Sequence, residues 1–133
     1  MDLFCIWTTP QVWKIPAEGG EAVQVTRKGG HIAFESLEGK FVYYAKPTSG
    51  GSVWRVPVNG GEEISVLESP TIPADWWRIV NEGIFFVDLQ QTPKRRHKWF
   101  VKFFSFDTRR VTQIAPLEKE PSYICFAVST DPR

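Results

Sequence analysis

The sequence predicts an all-β fold made of repeated antiparallel sheets, and two observations lead to this prediction. The first is an internal repeat: WKIPAEGGE at 13–21 matches WRVPVNGGE at 54–62, 41 residues later, and FFSFDTRRVTQI at 103–114 is a degraded third copy. The second is the lack of helical periodicity, with ten Gly and ten Pro breaking the chain into short runs. A period of about 40–45 residues built from strands is typical of β-propeller blades.

The predicted strands are short β-rich runs bounded by turn residues. They are Leu3–Trp7, Val12–Ile15, Ala22–Thr26, Ile32–Phe34, Lys40–Ala45, Val53–Val56, Glu63–Leu67, Trp76–Val80, Ile84–Asp88, Trp99–Phe106, Val111–Ala115 and Tyr123–Val128. The Gly-Gly pairs at 19–20 and 60–61 supply the positive φ that tight hairpins need. We therefore expect four-stranded antiparallel meanders whose strand order follows the sequence.

The repeat frame divides the chain into three blades' worth of strands, one of them split between the two ends. With the strands of a blade labelled a to d from the axis outward, residues 1–27 are strands b, c and d of the split blade. Residues 28–69 and 70–117 are whole blades, and 118–133 form the inner strand a that completes the split blade. All 133 residues then belong to one propeller-type domain.

These segments, together with SLEGKFVYY at 36–44, resemble the repeats of TolB-type six-bladed propellers, also called WD40-like or PD40 repeats. The similarity covers nearly the whole chain. The resemblance implies a propeller that serves as a protein-interaction or sensor module, and it implies that this chain corresponds to half of such a propeller.

Composition limits the classes of function that the chain is expected to have. The net charge of +1 gives no global field toward nucleic acid or an anionic membrane. Cys5 and Cys125 form no disulfide framework and match no zinc spacing, so buried free thiols are expected. The N-terminal run is not a signal peptide and no segment is long enough to span a membrane, so a cytoplasmic location is the default prediction.

No catalytic, phosphate-loop or metalloprotease motif is present. The histidines, His31 and His97, lie far apart in the repeat frame, so neither a metal nor a cofactor is predicted. The basic run at 94–98 is interpreted as a solvated loop, with contact to nucleic acid or an acidic partner as the alternative. The acidic turns at 36–39 and 129–132 are interpreted as turns fixed by side-chain hydrogen bonds.

The candidate binding residues lie where a loop enters an inner strand, near the expected mouth of the channel. They are Asp75, Trp76, Trp77, Arg78 and His31. Adjacent tryptophans on a strand point to opposite faces, so one can fill the core while the other is exposed for recognition. We expect a non-enzymatic module that recognises a protein or peptide here. The alternatives are a channel hydrolase or lyase using Asp75, Glu35, Arg78 and His31, or a propeller fragment that only self-assembles.

Three blades cannot close a ring, so exposed apolar faces and strand edges are expected to drive association. Two copies arranged head to tail would complete the split blades and give a closed six-bladed homodimer; a trimer would give nine blades. The predicted seam residues are Leu3, Cys5, Trp7, Tyr123, Cys125 and Phe126. Whether Cys5 pairs with Cys125 of the partner depends on their Cα separation.

Overall fold

The computed structural model describes residues 10–46, 52–68, 76–91, 93–94 and 97–117, and within these ranges the chain is all-β. The strands are β1 Trp13–Lys14, β2 Val23–Gln24, β3 His31–Glu35, β4 Phe41–Ala45, β5 Val53–Pro57, β6 Ile64–Leu67, β7 Trp77–Ile79, β8 Gly83–Gln91, β9 His97–Ser105 and β10 Val111–Leu117. These ranges contain no helix long and apolar enough to cross a membrane.

The strands form three antiparallel sheets in which neighbours in space are neighbours in sequence. The first sheet pairs β1 with β2, the second has the order β3-β4-β5-β6, and the third has the order β7-β8-β9-β10. The predictions of an all-β chain and of four-stranded meanders are therefore confirmed for the second and third sheets. The runs Leu3–Trp7 and Tyr123–Val128 lie outside the described residues, so the split blade, the blade boundaries and the propeller stay predictions.

The repeated Gly-Gly turn has the same geometry in both intact copies. The amide of Gly19 donates to the Pro16 carbonyl at 2.9 Å, and the amide of Gly60 donates to the Pro57 carbonyl at 2.9 Å. The φ angles are 96° and 130° for Gly19 and Gly20 and 94° and 142° for Gly60 and Gly61. These left-handed conformations explain why both copies carry two glycines. In the shortened third copy, Arg109 takes the left-handed position with φ 57°.

The predicted turn at 36–40 is fixed by its serine. The Oγ of Ser36 accepts hydrogen bonds from the amides of Lys40 and Phe41, each at 3.1 Å. The Ser36 carbonyl also accepts from the Gly39 amide at 2.8 Å. The side chain thus satisfies backbone donors at the β3–β4 connection, as the sequence interpretation of this turn proposed.

Both faces of the second sheet bury apolar side chains, because the alternating side chains of its strands pack in opposite directions. Val42, Tyr44 and Val56 form a cluster with Val12 between the first and second sheets. A larger cluster lies between the second and third sheets and consists of Tyr43, Val53, Leu67, Trp77, Ile84, Phe86 and Phe104. The three sheets are therefore stacked face to face, with one apolar core in each of the two interfaces.

Candidate binding surfaces

The structure separates the two adjacent tryptophans predicted to mark the binding site. Trp77 is 0% exposed and belongs to the core between the second and third sheets. Its ring meets that of Phe34 edge to face, with centroids 5.1 Å apart. Trp77 therefore fills the core, and its side chain has no accessible surface with which to contact a partner. This outcome follows from the alternation of side chains, which sends only one of two neighbours outward.

Trp76 and Arg78 lie on the opposite face of the third sheet, the face that points away from the second sheet. Both are half-buried. The ring of Trp76 packs against Trp99 with a centroid distance of 4.7 Å. Arg78 pairs across strands with Phe85, and its Nη1 donates to the Trp77 carbonyl at 2.7 Å. Two of the predicted residues thus share a surface, while Asp75 lies outside the described residues.

His31 stands on another sheet, at the start of β3, opposite Ala45. Its Nδ1 is buried and has no hydrogen-bond partner within the described part of the chain. The next residue, Ile32, has φ 49° at an irregularity in the β3–β4 register. A left-handed conformation is strained for a β-branched residue, so β3 is locally distorted beside the histidine.

Among the described residues considered for an enzymatic centre, the side chains are dispersed. Glu35 ends β3, is exposed, and lines a groove of about 420 Å³ together with Glu21 and Val23. Glu35 lies four positions after His31 along β3, roughly 13 Å in an extended strand, which is too far for direct cooperation. Among the described residues no group of three His, Cys, Asp or Glu side chains could hold a metal ion.

The outward faces of the first and third sheets are both apolar. Because Val12 packs into the core and Lys14 reaches the second sheet, alternation turns Trp13 and Ile15 to the other side of the strand, where they are 57% and 64% exposed and border the groove of about 420 Å³. On the third sheet, Phe85 and Phe103 form a ring pair with centroids 4.6 Å apart beside the Trp76–Trp99 pair. We call these two surfaces the first and the third end face.

A buried polar network lies between the first and second sheets, beside a cavity of about 520 Å³. The Nζ of Lys46 and the hydroxyl of Tyr44 both donate to the carboxylate of Glu63. Lys46 Nζ also stands 4.0 Å from the ring centroid of Trp54, a cation–π contact. This network satisfies charges that would otherwise be unpaired at a buried position.

The network shifts the ionisation of both its acidic members. Burial would raise the pKa of Glu63, but the hydrogen bonds from Lys46 and Tyr44 outweigh it and hold that pKa below its ordinary value. Burial, followed by the hydrogen bond to Glu63, raises the pKa of Tyr44 well above its ordinary value. Tyr44 therefore stays a neutral donor while Glu63 stays an anion.

A second buried pair links Asp88 of β8 to Lys102 of β9 in the third sheet. Sequence reasoning identified neither pair, because each joins strands whose register the residue pattern does not specify. One signal was present: Lys46 follows the apolar run FVYYA of β4 directly, where a charged side chain needs a partner.

The remaining predictions concern other parts of the surface. In the basic run, Lys94 is exposed in the β8–β9 connection, whereas Lys98 is exposed but lies in β9, paired with Gln90, so the prediction of a loop is wrong for Lys98. The predicted seam residues Leu3, Cys5, Trp7, Tyr123, Cys125 and Phe126 lie outside the described residues, so the seam stays a prediction. No protein-family model, curated protein or solved structure matches the chain.

Proposed function

We propose that the chain is a non-enzymatic interaction module of β-propeller type whose end faces bind protein, the first partner being a second copy of itself. The observation that carries this proposal is the exposure of Trp13 and Ile15, 57% and 64%, on the first end face. Contiguous exposed apolar surface of this kind marks interaction sites in soluble proteins.

The packing between the three sheets indicates which kind of surface would cover an end face. Each of its two interfaces joins apolar and aromatic side chains from facing sheets. The end faces carry the same chemistry: Trp13 and Ile15 on the first, Phe85 and Phe103 on the third. A second copy arranged head to tail would place one kind of face on the other and continue the packing. Two such contacts would give the six-bladed ring with twofold symmetry.

Electrostatics permits this association. The net charge of +1 per chain produces little repulsion between copies. Aromatic residues are enriched at the centres of protein interfaces because they bury a large area with few rotatable bonds. The two ring pairs of the third end face supply this kind of anchor.

Replacing Trp13 with glutamate should convert a dimer into a monomer, because it places a charge at the centre of an apolar contact. The wild type should sediment as a dimer at micromolar concentration, and W13E as a monomer with an unchanged far-UV circular dichroism spectrum. The matched control is L37E: Leu37 is 74% exposed but lies on the β3–β4 turn, away from the end faces. A folded wild-type monomer, or a dimer that W13E leaves intact, contradicts the proposal.

Peptide recognition at the channel mouth is the second candidate, and the position of Trp76 beside Arg78 favours it. An aromatic ring next to a guanidinium on a half-buried face is a typical binding hot spot. Peptides selected against the protein from a displayed random-peptide library should bind W76A at least about tenfold more weakly. They should bind L37A as well as the wild type. If the selected peptides bind W76A with wild-type affinity, this candidate is wrong.

A further inference from the structure

A small cavity opens between the outer strands of the second and third sheets, away from both end faces. Its volume is about 90 Å³. It is lined by Arg55, Ser65 and Arg109, with Ile64, Val66, Phe104 and Phe106 as apolar walls. Two arginines therefore border one partly open space, and no Asp or Glu side chain is among its lining residues.

Arg55 is the central residue of this cavity. Its guanidinium carbon lies 4.3 Å from the centroid of the Phe41 ring, which is a cation–π contact. Its Nε is buried without a hydrogen-bond partner among the described residues. A buried donor of a charged group that lacks an acceptor is costly, so the described residues leave Arg55 incompletely satisfied.

The repeat provides an internal comparison. Lys14 occupies in the first copy the position that Arg55 occupies in the second. The Nζ of Lys14 donates to the carbonyl of Val58 in the next sheet at 2.6 Å. At this motif position the side-chain donor of Lys14 has an acceptor in the protein, whereas Nε of Arg55 has none among the described residues.

Arg109 approaches the cavity from the shortened third turn. Its amide donates to the Ser105 carbonyl at 2.8 Å, which holds the left-handed backbone at φ 57°. The two ion pairs of the described chain are Lys46–Glu63 and Asp88–Lys102, so neither cavity arginine is neutralised by a carboxylate there. Glu68 accepts a hydrogen bond from Ser65 Oγ at 3.3 Å.

We propose that this cavity binds a phosphate group, held by the guanidinium groups of Arg55 and Arg109. Guanidinium edges match the oxygens of a tetrahedral oxyanion and form strong charge-assisted hydrogen bonds with it. A volume of about 90 Å³ admits one such group but not a nucleotide. The phosphate is either free or carried on a serine. This site uses different residues from the end faces, so a negative result for phosphate binding would leave the proposed function unaffected.

Titration of the full-length chain with inorganic phosphate and with O-phosphoserine, followed by calorimetry and ³¹P NMR, tests the site. Binding should be saturable, with R109Q weakening it by about tenfold or more and R110Q by less than about twofold. Arg110 is the matched control because it is an exposed arginine next in sequence that does not line the cavity. If O-phosphoserine binds more tightly than phosphate, the ligand of this site is a phosphorylated protein chain. If phosphate binds more tightly, the ligand is the free ion.

Two further variants test the same phosphate site. R55Q should also abolish binding, and circular dichroism will show whether it remains folded after losing the contact with Phe41. E68Q should bind phosphate slightly more tightly, because it removes a negative charge that is hydrogen-bonded to a lining residue. Equal binding by R109Q and the wild type, or no saturable binding of either probe below about 10 mM, overturns the proposal.

Discussion

Replacing Gly83 with alanine is expected to destabilise the fold by about 3 kcal/mol. A Cβ at Gly83 would collide with the backbone carbonyl oxygen of Phe104 and lie 2.8 Å from Cζ of Phe103. Gly83 pairs with Ser105 at the first position of the long β8–β9 ladder. Relief of the clash would require the backbone of β9 to move, and the apolar cluster that contains Phe104 would move with it.

Gly60→Ala is the matched control for this substitution. Gly60 has φ 94° in a hairpin turn, and a Cβ there would meet nothing within 4 Å. The cost is then only that of a left-handed alanine, about 1 kcal/mol. Urea unfolding followed by circular dichroism measures both variants. If G83A is no less stable than G60A, the close approach of β8 and β9 at Gly83 is not as described.

Replacing Glu63 with glutamine is expected to cost about 3 kcal/mol, because it leaves the ammonium of Lys46 without its counter-ion. The side chains of Lys46 and Glu63 are only 9% and 17% exposed, so water cannot fully replace the carboxylate. The control is E62Q: Glu62 is the preceding residue and is exposed, so its loss should change stability by less than about 0.5 kcal/mol. The double variant K46M/E63Q should recover much of the loss, because no buried charge remains unpaired.

The contribution of Glu63 should also depend on pH in a defined direction. Its pKa in the folded protein is lowered from 4.5. A carboxyl with a lowered folded pKa stabilises the fold above the unfolded value and loses that contribution as the pH falls through the folded value. The stability difference between wild type and E63Q should therefore be full at neutral pH and shrink below about pH 4.5. A difference that stays constant into strong acid would exclude this assignment.

Much of the local structure could be predicted from the repeat. The Gly-Gly pairs specify a left-handed turn by their chemistry alone, and Ser36 specifies a turn fixed by its hydroxyl. The alternation rule also shows that Trp76 and Trp77 diverge. It does not tell which of the two faces the core, because that depends on which neighbouring sheet covers β7.

The polar sites could not be predicted in the same way. Lys46 and Glu63 are brought together by sheet registers that turn lengths and bulges set, and the sequence shows neither directly. Lys14 and Arg55 occupy one motif position, yet their surroundings differ because the following units differ. A motif describes its own hairpin, whereas a site between sheets also depends on the hairpin that faces it.

The two buried ion pairs have a consequence for misfolding between similar repeats. The amides of Val58 and Phe106 donate to the carbonyls of Lys40 and Glu82, so β4–β5 and β8–β9 are equivalent hairpins. Lys46 and Asp88 then occupy equivalent positions, six residues after Lys40 and Glu82 respectively.

If β4 exchanged partners and paired with β9, Lys46 would replace Asp88 beside Lys102. If β8 paired with β5, Asp88 would join the sheet that already contains Glu63. Both exchanged pairings bring like charges together at buried positions, which costs several kcal/mol. The buried charge at this position is positive in one repeat and negative in the next. Pairing with the wrong strand is therefore disfavoured, even though the two repeats have the same backbone arrangement.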